Sequence, residues 1–418
     1  MLTRRSLFRY APAASAVLGS SAHWMQQLAA SPLQEPGNES FWALLRSEFP
    51  LEEGLIFLNA ANVCPASKPV VAKHLHFLRD FYANPSFENR SKYGALHATA
   101  LKQLAGVLGA KPSEITLTRN TSEATNNIVR GLNLRAGDEV VITSHNHPSN
   151  EASWKVLAKR TGVVIREVPT PIDNISRERL IRGIERAISP RTRVISITHV
   201  TNTAGLRYPA KEIASIAREK GIWMHLDGAQ SFGVLDFRLS DIGCDSYAAS
   251  MHKWPMGPLE TGVLFVRDGR QDEISPSIVT AGYSELLEGI SRFGVLGQRD
   301  DARMVAAGEA ANFLGRIGMA NVEARSLYLA AELKKQLAQM PSVKLISPLE
   351  PELSGAVVKF RVEGRSTEQV GRLLWENHRI SGAVTARGPL EGIRWCPHIY
   401  NSLDQMHRAV DGLRQIVG

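Results

Sequence analysis

The strongest constraint on this chain is a regular alternation between residues 114 and 266 of short apolar runs and amphipathic stretches. EITLT, VVITS, VVIREVP, VISITHV, IWMHLD, SYAAS and GVLFV read as strands. Between the first five lie SEATNNIVRGL, ASWKVLAKR, RERLIRGIERAI and AKEIASIAREK, whose apolar residues recur at helical spacing. Strands alternating with helices of this length predict an α/β fold, a mostly parallel sheet covered on both faces. Ligands in such sheets bind beyond the carboxyl ends of the strands, so function is expected in the residues that follow each run.

The flanks divide the rest. FWALLRSEF reads as a short helix and LIFLNAA as a strand entering a loop, within an N-terminal segment 31–65. A large domain spans 66–300, with helical periodicity over 70–108 interrupted by a loop at NPSFENRSKYG. Residues 301–418 hold two long helices, followed by VVKFRVEG, TEQVGRLLWENH, GIRWCPHIY and DQMHRAVDGLRQIV, a small α+β C-terminal domain. At 418 residues and 44% hydrophobic content, the chain can bury two cores.

Residues 1–30 differ from the rest. Arg4 and Arg5 precede Arg9 and the Ala-rich run APAASAVLG, with no acidic residue in the stretch. This is the layout of a twin-arginine signal peptide, with cleavage after Ala22 or Ala30 and a periplasmic mature chain. The twin-arginine export machinery carries folded cargo, so the leader points to a cofactor acquired before export. The apolar run is too short for a membrane span. The formal net charge of +8 is scattered among acids, as in KEIASIAREK, so no nucleic-acid tract is expected. Cys64, Cys244 and Cys396 are too few and too dispersed for a disulfide framework or a zinc site.

Polar residues cluster after the runs. Asn120-Thr121-Ser122-Glu123 opens a helix; it can serve as an N-cap or offer amides and hydroxyls to a phosphate. His145 and His147 follow VVITS without a third ligand at a supporting spacing, so no metal is expected. Asp227 ends IWMHLD, where a buried carboxylate needs a partner. Lys253 lies in Ser250-Met251-His252-Lys253-Trp254 between two buried runs, and a desolvated lysine amine is the usual Schiff-base former. A phosphate cradle, a carboxylate for a pyridinium, a polar group for a phenolic oxygen and an amine together suit pyridoxal 5'-phosphate (PLP).

FLNAANVCP, NTSEATN, AGDEVVITSHNHPSN with Trp154, ITHVTNTAG, LDGAQ, SMHKW and GIRW occur in one order. That order resembles class V of the fold-type I PLP enzymes, which includes cysteine desulfurases and isopenicillin N epimerase-like proteins. The resemblance implies a mostly parallel seven-stranded sheet plus a small C-terminal domain. Lys253 would carry the cofactor, Asp227 would meet its pyridine nitrogen and Gln230 its ring hydroxyl. His147 would stack on the ring, and Thr121, Ser122, Ser250 and His252 would hold the phosphate. Asn202 would lie near the ring hydroxyl and the substrate. Asn62 would also face the substrate, and Arg394 would bind its α-carboxylate. In Gly297-Gln298-Arg299-Asp300, Gln298 stands where the epimerase-like branch has threonine and would reach the phosphate of a neighbouring subunit, implying a homodimer with shared active sites.

The reaction is narrowed by what precedes Arg394. A desulfurase of this family needs a mobile cysteine there, and ISGAVTARGPLEGIR has none. The expectation is chemistry on an amino-acid or peptidyl substrate that begins with Cα proton abstraction by Lys253, as in an aminotransferase or an epimerase, with His147 the candidate for reprotonation from the other face. A PLP-dependent lyase, a desulfurase-like enzyme and a non-catalytic ligand-binding descendant are the alternatives.

Overall fold

A computed structural model describes residues 23–280 and 288–418; the twin-arginine motif, with Arg4, Arg5 and Arg9, lies outside them. All seven apolar runs form one sheet. Its strands are β2 (Ile115–Thr118), β3 (Glu139–Thr143), β4 (Val164–Val168), β5 (Thr192–Thr198), β6 (Trp223–Asp227), β7 (Ser246–Ser250) and β8 (Gly262–Val266), after a short β1 (Ile56–Phe57) outside it. The spatial order is β2-β8-β7-β6-β5-β3-β4. Neighbours from β7 through β4 pair in parallel, and β8 runs antiparallel between β7 and β2. Strands β3, β6, β7 and β8 are buried along their whole length, as expected of a sheet packed on both faces.

Two glycines permit close approaches that position the strand ends. A Cβ on Gly228, just after β6, would collide with the Tyr247 ring at 1.8 Å. A Cβ on Gly262 would meet the Asn120 Cα at 2.7 Å, so the glycine lets the loop before the Thr121–Gly131 helix lie against β8.

The second sheet is antiparallel, in the order β12 (Ala383–Thr385), β13 (Gly392–Trp395), β10 (Val358–Val362) and β9 (Val343–Leu345). The N-terminal segment packs with this C-terminal part. β1 pairs in parallel with β11 (Ile380–Ser381), and Phe41, Trp42 and Leu45 share a core with Trp395 and Tyr400. The Asp301–Ile317 helix bridges the two units. Met304, Ala307 and Ala310 sit in the core beneath the large sheet, whereas Phe313, Leu314 and Ile317 sit in the core shared with the N-terminal segment. The stretch read as the loop NPSFENRSKYG contains one helical turn, Phe87–Arg90, because Ser86 caps it by accepting from the Asn89 N–H at 3.3 Å.

Candidate active site

At the carboxyl ends of the strands is a cavity of about 300 Å³. Its wall includes Asn62, Thr121, Ser122, His147, Asn202, Asp227, Gln230, Ser250, His252, Lys253 and Arg394, so every expected site residue except Gln298 meets there. They come from the loop after β1, from two helix starts, from the turns after β5, β6 and β7, and from β13. Gln298 is exposed, and its side-chain carbonyl accepts from Arg90 Nη2 at 2.6 Å. His145 does not line the cavity. Among the described residues, no group of three or more His, Cys, Asp or Glu side chains could hold a metal.

Asp227 ends the central strand β6 and is buried. Its Oδ1 accepts from the Ala229 N–H at 3.0 Å and its Oδ2 from Asn150 Nδ2 at 3.4 Å. A donor chain orients that asparagine. The Trp154 indole N–H donates to Ser196 Oγ at 3.0 Å, and the Ser196 hydroxyl donates to Asn150 Oδ1 at 3.4 Å. Because an indole can only donate, Ser196 is free to donate onward and Asn150 turns its amide nitrogen to the carboxylate. Asn150 was not foreseen from the sequence. Its available signal was a buried polar residue in the first turn of a helix facing the strand ends.

Gln230 is oriented by the same logic. Trp254 Nε1 donates to its Oε1 at 2.7 Å, so the amide nitrogen faces Ala61 O at 3.0 Å and retains a second N–H on the cavity side. Trp254, next to Lys253, therefore orients a cavity residue. Its own carbonyl is in contact with His398 Nε2 at 2.9 Å. Just beyond, Met256 adopts φ 57° and its N–H returns to Lys253 O at 2.8 Å. A non-glycine residue in the left-handed region is a local cost of the kind that concentrates at functional sites.

The cap reading of NTSEA holds, and the residues expected to meet a phosphate lie at the cavity wall. The Asn120 side chain caps its helix, accepting from the Glu123 N–H at 3.0 Å, while Thr121 and Ser122 in the first turn line the cavity. Ser250 Oγ accepts from the Thr121 N–H at 2.9 Å and lies 2.7 Å from Thr121 Oγ1. His147 caps the Pro148–Thr161 helix, its Nδ1 accepting from the Ser149 N–H at 3.2 Å. Two helix N-termini thus face one cavity, a favourable environment for an anion.

Burial lowers the Lys253 pKa, Asp227 opposes that shift, and Arg394 adds to it. Burial also lowers His147, with Lys253 and Arg394 adding to the shift and Asp227 opposing it. His252 is pushed down to about 4 by burial and by Lys253. Among the described residues, three buried polar atoms on cavity residues have no partner: His252 Nδ1, Asn202 Oδ1 and Arg394 Nε. Such atoms are costly unless a polar ligand meets them. The Arg394 guanidinium is held by Asn202 O at 2.7 Å and Asn59 Oδ1 at 3.2 Å. Cavity, amine, carboxylate, paired helix starts and unpartnered polar atoms fit PLP.

Residues 56–389 match the aminotransferase class-V family. The chain belongs to that family. Class V is PLP-dependent, and PLP is the cofactor of this chain. Isopenicillin N epimerase of Streptomyces clavuligerus is 29% identical over 392 residues, covering 90% of this chain and 98% of the relative. A probable cysteine desulfurase of Methanothermobacter thermautotrophicus is 28% identical, covering 90% and 98%. Among solved structures, the apo cysteine desulfurase of Thermococcus onnurineus superposes with a TM-score of 0.81 at 24% identity, covering 89% of this chain and 97% of the other. A variant of C-DES with glycine covalently linked to its PLP gives 0.82 at 23%, covering 88% and 98%. These two likenesses establish the shared class-V fold.

Proposed function

We propose that this class-V enzyme is exported to the periplasm and acts on the α-amino group of an amino acid or peptidyl substrate, as an epimerase or aminotransferase. The observation that carries the reading is the contrast between the cavity and the thiols. Lys253, His147 and Arg394 line the cavity together; Cys64, Cys244 and Cys396 are all buried and do not line it. Burial raises the pKa of each thiol, the opposite of what a sulfur nucleophile needs. The gathering of Lys253, Asp227, His147 and Gln230 in one cavity weighs against a non-catalytic descendant.

Bound PLP supplies an electron sink for the charge left at Cα. In the proposed reaction Arg394 receives the substrate carboxylate with its planar fork. Burial favours the neutral form of Lys253, so its Nζ can take the Cα proton. Burial also favours neutral His147, and since Nδ1 accepts from the Ser149 N–H, the ring proton sits on Nε2. Uptake of a second proton from solvent, displacing the Ser149 N–H from Nδ1, would give an imidazolium that returns one proton to the other face of Cα, inverting the centre and leaving the ring neutral. Desulfurase relatives favour a second reading, sulfur release from cysteine, which the buried thiols make less suitable.

The same proposal includes a homodimer in which Gln298 approaches the partner's site. Phe87 and Tyr82 are 84% and 76% exposed, an unusual display of large aromatic surface. Arg90 links that patch to Gln298, lying 5.8 Å from the Phe87 ring while bonding the Gln298 amide. The test is a panel of amino acids and short peptides given to the purified enzyme, with chirality, keto-acid and sulfide readouts. Inversion or keto-acid formation without sulfide supports the reading. Stoichiometric sulfide or persulfide from cysteine overturns it.

A further inference from the structure

We propose that the leader is removed by hydrolysis of the Ala22–His23 peptide bond, and that residues 23–30 belong to the mature fold as a helical strap. The proposal rests on the export reading above. Two cut positions, after Ala22 and after Ala30, are open in the sequence, and the structure separates them.

Residues 23–30 form a helix that is built into the protein. Trp24 is 1% exposed and belongs to the core formed by the N-terminal segment and the C-terminal part. Its ring meets Phe313 edge-on with centroids 5.7 Å apart, and its indole N–H donates to the buried Glu48 carboxylate at 3.2 Å. Leu28, one turn later, is buried in the same core. The strap continues without a break into ordered contacts. Ser31 N–H donates to Gln27 O at 2.8 Å, Asn321 holds Pro32 O at 2.8 Å and the Gln34 N–H at 2.9 Å, and Arg325 holds Pro36 O at 2.7 Å.

A cut after Ala30 would discard a fully buried tryptophan and one donor to a buried carboxylate. It would also require a peptidase to take as extended chain residues 28–30, which form the last turn of this packed helix, whereas processing favours extended, exposed chain. The twin-arginine route delivers folded cargo, so this helix is already in place when the peptidase arrives. The residue pattern agrees independently. Signal peptidases read small residues at the third and first positions before the cut. Ser20 and Ala22 satisfy this for the first position, whereas Leu28 stands third before a cut after Ala30. Leu28 is the residue that the core requires. The hydrolysis consumes one water, leaving the carboxylate on Ala22 and a new α-amine on His23.

The experiment expresses the full chain with its leader in a host with a twin-arginine system and measures intact mass and N-terminal sequence of the periplasmic protein. A chain starting at His23 is expected; one starting at Ser31 overturns the proposal while leaving export intact. Ala22→Asp should accumulate precursor and Ala30→Asp, at an exposed position, should be processed as wild type; the reverse pattern overturns the proposal. Trp24→Ala should lower the Tm of the purified mature protein, and an unchanged Tm, the result if the residue had been removed, counts against the strap. A chain that stays unprocessed in the cytoplasm refutes export and this inference together.

Discussion

Replacing Asp227 by asparagine isolates charge from shape at the centre of the site. The substitution is isosteric, and the surrounding donors can adapt. The introduced amide oxygen can still accept from the Ala229 N–H. Its nitrogen would face Asn150 Nδ2, so Asn150 should flip, placing its carbonyl toward residue 227 and its nitrogen toward Ser196 Oγ. A hydroxyl oxygen has two lone pairs, so Ser196 can accept from both Asn150 and the Trp154 indole. The fold should therefore persist, with a stability change of about 1 kcal/mol for one exchanged hydrogen bond. The interaction proposed between this carboxylate and the cationic ring nitrogen of PLP would be larger. At about 4 Å and an effective dielectric near 20 it is worth about 4 kcal/mol, or about three orders of magnitude in kcat/KM. The assay is steady-state kinetics on protein whose PLP content and Tm are measured in the same preparation. Activity within about tenfold of wild type at full PLP occupancy would refute the role given to Asp227.

Three further outcomes follow from the structure. Arg394→Lys keeps the charge but cannot span Asn202 O and Asn59 Oδ1 while presenting a fork, so KM should rise about 10- to 100-fold, with Tm little changed. Glu139 is held by Arg166, Arg191 and Ser189, which lower its pKa to about 2, so its folded-state value lies below its unfolded one. Its stabilisation is present above about pH 4.5 and is lost as pH falls toward about 2; Glu139→Gln should flatten the acid limb of a stability-versus-pH curve in that window. Phe87→Ser should shift the sedimentation profile toward monomer and lower specific activity together, whereas a fully active monomer would contradict the shared-site homodimer.

The large sheet was legible because most of its strands are short, predominantly apolar and buried, and amphipathic helical stretches alternate with them; both signals are local. Site residues were legible for a related reason: polar groups immediately after buried runs have few structural uses. Asn150, Ser196 and Trp154 were harder to see. A buried tryptophan on an otherwise largely exposed helix and a serine inside a buried strand look like core, and their relay depends on the β5 and Pro148–Thr161 elements being adjacent. The pairing of β1 with β11, and the support of Arg394 by Asn59, join the two ends of the chain and leave no periodic trace. Gln298 stands apart from the cavity; in the proposed homodimer its partner would belong to another copy of the chain. The cap at Ser86 was readable in principle, but the surrounding Asn, Pro and Gly residues signalled a loop more strongly.

The most direct test of the account is exchange of the substrate Cα proton in deuterated water, followed by mass spectrometry on wild type and Lys253→Ala. Deuterium at Cα is expected with wild type and none with the variant, in keeping with the proposed removal of that proton by the Lys253 amine. Unchanged exchange with Lys253→Ala, or turnover of substrate by wild type that leaves the Cα proton in place, would contradict it.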